Sequence, residues 1–241
     1  MEADGAEYDV VMKPSGPQIT VEALANEMLG SFLAADLGLP VNEPFLVPLE
    51  TDFVASVPDL ELRRRLESAC PLAFASRDAG NQWRRWHSGD RVSVSQTDLA
   101  LLIVAFDAFI ANNDRSPRNP NLLVKDDEWR LIDHESAFSF HLKFAPSCEP
   151  WRMGNLAIIS NTGADSEHLF TSDLRGRGDL NYPEISARWL DLSDTRLAQY
   201  DASLPEEWVG VRQHFSEALS HLREVRDKID LCVAELTRVL A

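Results

Sequence analysis

Cysteine is scarce in this chain. The 241 residues hold three, Cys70, Cys148 and Cys232, an odd number in separate regions with no CxxC spacing. That pattern argues against both a disulfide framework and a zinc site and makes a reducing cytoplasm the expected compartment. The amino terminus, MEADGAEYD, is acidic where an export segment is basic and then apolar. Basic residues are few as well: 23 Lys+Arg face 39 Asp+Glu, for a net charge of −16 and a pI near 4.7. A surplus of that sign repels polyanions and anionic headgroups at long range, so neither nucleic acid nor a membrane surface is an expected partner. Long hydrophobic runs are missing too. The longest, Leu99 to Ala111, is interrupted by Asp107 and falls short of the roughly 20 residues that span a bilayer. It reads as a buried core helix.

What is present is ample core material, 44% hydrophobic residues against 26% charged. The length suits one large domain or two small lobes, because single cores stop growing at roughly 250 residues. Tyr8 to Met12 reads as a strand ending at Lys13-Pro14. Thr20 caps an expected helix through Leu37, stopped by Gly38 and Pro40. Val41 to Leu49, punctuated by proline, reads as an edge strand or connector and a candidate hinge. Asp59 to Ala69 is an expected surface helix, followed by a polar loop through SRDAGNQWRRWHSGD. Thr97 caps a second helix, Asp98 to Ala111, and two short strands, Asn121 to Val124 and Trp129 to Ile132, bracket a turn. The region from about 140 to 182 reads mostly as loop. Helical spacing then returns from Tyr182 to the end.

The chemistry concentrates in Asn112 to Phe138, NNDRSPRNPNLLVKDDEWRLIDHESAF. Asp114 precedes Asn119 by five positions, and the hairpin then delivers Asp133 from a strand end. This order suits phosphoryl transfer: one aspartate orients the acceptor hydroxyl, while the asparagine and the second aspartate offer hard oxygens to Mg²⁺. Asn121 is the competing metal ligand. Asp107 on its apolar helix must be paired, since an unpaired buried carboxylate costs several kcal/mol; Arg115 is the expected partner. Glu27 lies on a helix face otherwise made of Ala23, Gly30, Ser31 and Ala34, which implies close approach of another group.

Taken with VVMKP and Lys13, with ANEMLGSFLAADLGLPV and Glu27, and with FDAFIANNDRSPRNPNLL and LIDHESAF, the chain resembles the HipA-like kinases and, more distantly, the phosphoinositide kinases. LPEEW at 204 to 208 matches a helical segment of that family. The resemblance implies an α+β, two-lobed protein-kinase-like fold, with a small β-containing amino lobe and hinge over 1–50 and a mostly helical carboxy lobe over 51–241. It implies ATP and Mg²⁺ as cofactors, and γ-phosphate transfer to a hydroxyl, a Ser/Thr of a protein. Lys13 would hold the α and β phosphates, with Glu27 as its ion-pair partner and Glu22 as the competing choice. Asp114, Asn119 and Asp133 would be catalytic, with Asn119 and Asp133 on the metal.

The pattern departs from that family at one place. Only Gly5 precedes Lys13 in this sequence, where the family has a glycine-rich phosphate-covering loop, so either the chain begins late or the SGPQ turn after Lys13 contributes backbone N–H groups. A nucleotide-binding pseudokinase or binding module is therefore the second reading. A hydrolase metal cluster of Asp107, Asp114, Asp133 and His134 is a third, which leaves Lys13 and the asparagine spacing unexplained. Trp83 to His87 form a basic aromatic cluster read as local packing.

Overall fold

A computed structural model describes residues 2–3, 5–139, 149–158 and 167–241. The chain opens with β1 (Glu2–Ala3) and β2 (Ala6–Glu7), paired antiparallel around Gly5, and continues into β3 (Val10–Lys13). Next comes α1 (Val21–Asp36), where Thr20 Oγ1 accepts the Ala23 N–H at 3.1 Å and Gly38, at φ +68°, ends the helix. The positive φ is what favours glycine there, and a Cβ would also displace the Arg188 guanidinium, whose Nη1 would lie 2.7 Å away.

β4 (Pro44–Pro48), α2 (Thr51–Ser56), α3 (Leu60–Ser68) and β5 (Leu72–Arg77) follow. The first three-stranded sheet has the order β3-β5-β4, antiparallel throughout, with Lys13 opposite Phe74 and Val11 opposite Ser76. β4 is an edge strand, as its prolines require. The central strand, β5, comes from beyond the expected boundary at residue 50, so the amino-side sheet recruits chain on both sides of that boundary. Residues 72–75 (LAFA) are apolar and 76–77 polar, a pattern too short to display periodicity.

β6 (Arg84–Arg85), α4 (Thr97–Phe109), β7 (Leu122–Lys125) and β8 (Glu128–Leu131) form the middle of the chain. β6 lies within the stretch expected to be loop. It pairs with β7, giving a second antiparallel sheet of order β6-β7-β8. Trp86 beside it is buried against Trp129 and Phe170, and that burial, rather than β propensity, fixes the segment. The cap of α4 sits upstream of Thr97: Ser93 and Gln96 form a reciprocal capping box on a preceding turn of 3₁₀ helix.

The remaining elements are α5 (Thr171–Leu174), α6 (Tyr182–Leu190), α7 (Asp194–Ala202), α8 (Arg212–Asp227) and α9 (Ile229–Leu240). Of the region expected as loop, 140–148 and 159–166 lie outside the described residues. The carboxy-terminal stripe is divided at Lys228 into two helices, with Phe215, Leu219, Leu222, Val225, Ile229 and Leu236 buried. Residues 204–208 form a turn, not a helix: Pro205 disfavours helical backbone before it, and Trp208 is anchored by its Nε1–H to Leu72 O at 2.9 Å. The architecture is thus mixed α and β, with small antiparallel sheets and a helical carboxy-terminal part.

Helix α1 is the central strut, with ten of its residues buried. Its carboxy end is tied to the later helices by Asp36, which pairs with Arg196 and Tyr200, and by Leu37 O, which accepts from Arg188 at 2.6 Å. The two sheets meet where Leu131 N donates to Pro40 O at 2.7 Å, beside a parallel bridge between Val41 and Leu131.

Candidate active site

Between the sheets lies a cavity of about 320 Å³, a size suited to a small ligand. Lys13 reaches it from the end of β3, on the same sheet face as Val11, Phe74 and Ser76. Its ammonium contacts three carboxylates: Glu27, Asp133 Oδ1 at 2.7 Å and Glu135 Oε2 at 3.2 Å. Burial by itself would lower the lysine pKa, but Glu27 and Asp133 outweigh it and hold it above the ordinary value. Burial would likewise raise Glu27, yet the His134 side chain and the Lys13 ammonium bring it down to about 2. Glu22, the competing partner, is exposed at the helix surface.

The Glu27 carboxylate does two jobs at once. One oxygen takes Lys13, and the other accepts the backbone N–H of His134 at 2.8 Å. This bond fixes the backbone just after Asp133, a residue at φ +64°, where a non-glycine needs support from its surroundings. The group whose approach the small residues of α1 permit is His134: a Cβ at Gly30 would stand 2.7 Å from the His134 Cβ. Asn26, one residue before Glu27, donates to Glu135 O at 3.0 Å, and its own Oδ1 lies 2.7 Å from His214 Nε2 on α8.

The 112–121 loop is built differently. Asp114 Oδ2 accepts from both Asn119 Nδ2, at 2.8 Å, and Asn121 Nδ2, at 3.1 Å, which leaves Oδ1 without a partner among the described residues. Behind it, Asp107 and Arg115 are fully buried and paired at 2.6 Å through Nε. His168 Nε2 lies 2.9 Å from the same aspartate oxygen. Burial would push Asp107 up, but Arg115 and His168 hold it well below the usual carboxylate range. The Phe170 N–H points to His168 Nδ1 at 3.3 Å, which makes Nε2 the protonated nitrogen donating to Asp107. Arg115 also donates to Asn121 O and, at 3.4 Å, to Ile132 O. One guanidinium thereby spans the chain just before Asp133 and the loop that carries Asp114.

Lys13, Glu27 and Asp133 are thus joined in one ion-pair cluster, and Asp114 and Asn119 in a second group bridged to it by Arg115. The carboxylates of Glu27, Asp133 and Glu135 lie within 4.8 Å of one another. Carboxylate oxygens are the hard donors that suit Mg²⁺. Glu135 on Lys13 and His168 on Asp107 were not foreseen. The first reaches Lys13 from the turn that follows β8, where strand alternation no longer applies, and the second is 61 residues from its partner and left no local trace. In the SGPQ turn the Gly16 N–H is taken by Ile19 O at 2.8 Å, Ser15 Oγ accepts the Cys70 N–H and Pro17 has no N–H, which leaves the Ser15 and Gln18 N–H groups as the turn's uncommitted backbone donors among the described residues.

A family model described as HipA-like kinase matches residues 2–149, and the chain belongs to that family. ATP and metal use are general to such kinases, and no helix among the described residues is long and apolar enough to cross a membrane. No curated protein and no solved structure matches the chain.

Proposed function

We propose that this chain is an ATP-dependent kinase of two-lobed, protein-kinase-like design, working in the cytoplasm and transferring the γ-phosphate of ATP to the hydroxyl of a protein Ser or Thr. The observation that carries this reading is the convergence of Lys13, Glu27 and Asp133, from a strand, a helix and a strand end, on one side of the cavity. Lys13, oriented by Glu27, holds the α and β phosphates as a positioned point charge. Asp133 and Asn119, with Asn121 as the neighbouring alternative, hold Mg²⁺, which when bound neutralises phosphate charge. Asp114 uses Oδ2 to stay fixed on the two asparagine amides and presents Oδ1 to the acceptor hydroxyl, orienting its attack and accepting its proton.

The pseudokinase reading keeps one observation in its favour: three carboxylates surround Lys13. Transfer separates the two readings. Incubation with γ-labelled ATP, with and without Mg²⁺, should label the chain itself or a member of a panel of proteins and small alcohols, only when Mg²⁺ is present. Mg²⁺-dependent nucleotide binding with no transfer to any acceptor would favour the pseudokinase, and no nucleotide binding would refute both.

A further inference from the structure

The cluster at Lys13 poses a charge problem for the function proposed above. Its one ammonium is met by three carboxylates, and Asp78 adds a fourth acidic side chain to the cavity wall. A polyanionic nucleotide entering there meets net negative charge, and in the SGPQ turn only the Ser15 and Gln18 N–H groups are uncommitted among the described residues. The second cation lining the cavity is Arg85.

The local sequence explains why it points there. Side chains alternate across a strand, and on one side of β6 Trp86 is locked into the core against Trp129 and Phe170, with its N–H on Leu122 O at 3.0 Å. Arg85 is therefore turned to the opposite face, next to its register partner Leu123, and both line the cavity. Its neighbour Arg84 is committed elsewhere, in a two-pronged pair with Asp90 at 2.6 and 2.8 Å. Asp90 also accepts the His87 N–H at 2.8 Å, which ties the loop after β6 to its start. The Arg85 guanidinium has no hydrogen bond, ion pair or ring contact among the described residues. In a chain with 39 acidic side chains, an arginine held on a paired strand, facing a cavity and left without a carboxylate, is a free anion receptor.

From this placement we infer that Arg85 binds a phosphate group of the nucleotide, supplying positive charge against the carboxylates that surround Lys13. A planar guanidinium takes two phosphate oxygens at once, whereas an ammonium acts as a single point charge. The aromatic and basic run around residue 85 is thus divided: Trp86 packs the core, Trp83 is covered by Arg130 at 4.9 Å from its ring, and Arg85 faces the ligand.

The inference rests on the nucleotide reading, and calorimetric titration of wild type, Arg85→Ala, Arg85→Lys and Asp133→Asn with Mg-ATP, ADP, AMP and adenosine tests the two separately. Arg85→Ala should bind at least one of the phosphorylated ligands about tenfold more weakly, the scale of a lost charge-assisted contact, and adenosine within about twofold of wild type. Arg85→Lys should recover part of the loss. An unchanged urea midpoint for Arg85→Ala would confirm that the fold is intact, as expected for an exposed side chain without partners. If Asp133→Asn weakens ATP binding while Arg85→Ala leaves all four ligands unchanged, the role of Arg85 is refuted and the nucleotide reading stands. Equal weakening of ATP and adenosine would also refute it, by placing the arginine on the base or sugar. A wild type that binds none of the four would overturn both.

Discussion

The two halves of the candidate site are made from different materials. The Lys13 cluster joins residues 14, 120 and 122 positions apart by ion pairs in a partly open cavity. The 112–121 loop joins residues five and seven apart through amide hydrogen bonds to one carboxylate. Its foundation, Asp107 with Arg115 and His168, is buried in the core. The first half exists because the fold brings α1 and β3 to the end of β8. The second is close to self-organising and stands on an ion pair that the core protects. It follows that substitutions facing the ligand should separate function from stability, whereas substitutions in the brace should not.

The largest separation is expected at Asp114. Asp114→Ala removes the oxygen offered to the acceptor hydroxyl while leaving the brace untouched. Transfer should fall by about 10²–10⁴-fold with Mg-ATP affinity within a few-fold of wild type. Single-turnover rates beside equilibrium titration would check it, and equal loss in both would make Asp114 a determinant of binding or fold. Asp107→Ala should show the opposite character. It leaves Arg115 buried without its carboxylate, at a cost of about 3–5 kcal/mol, readable as a lower urea midpoint. Loss of transfer should follow from loss of folded protein.

The sequence carried the second half better than the first, because the chemistry there is local. The spacing from Asp114 to Asn119 and the hairpin leading to Asp133 were readable in a single segment, as was the need to pair Asp107. α1 was legible too, from its Thr20 cap to the Gly38 stop. What could not be read was tertiary: β5 as the middle strand, β6 inside a polar stretch where Arg84 pairs with Asp90 while Arg85 faces the cavity, and the turn at 204–208 that a tryptophan holds against β5. The attachment of α1 to α6, α7 and α8 through Leu37, Asp36 and Asn26 likewise has no signature in any one segment.

Gly30 sharpens the contrast at smaller amplitude. Alanine is favoured over glycine in a helix interior by about 1 kcal/mol, so a helix packed loosely here would be stabilised by Gly30→Ala. With His134 Cβ only 2.7 Å from the new methyl, overpacking of about 1–3 kcal/mol should win instead. A lower melting temperature would report it, and a higher one would show that His134 yields easily.

Acid titration of Glu27 probes the first half with the smallest expected effect, because Lys13 retains Asp133 and Glu135. Its folded pKa, about 2, lies below the ordinary 4.5. The stability it contributes is therefore complete above about pH 4.5 and is lost as pH falls toward about 2. The excess stability of wild type over Glu27→Gln, followed by chemical denaturation, should shrink across that window. A constant difference would mean that the carboxylate charge contributes nothing to holding the cluster.

The central claim is that the cavity beside Lys13 and Asp133 receives a metal nucleotide. Thermal unfolding of wild type and Asp133→Asn, each with ATP in the presence and absence of Mg²⁺, tests it most directly, because a ligand bound only to the native state raises the melting temperature by mass action. A rise for wild type that requires Mg²⁺, and is largely abolished in Asp133→Asn, is the predicted result. An equal rise in both proteins, or none in wild type at saturating Mg-ATP, would contradict it.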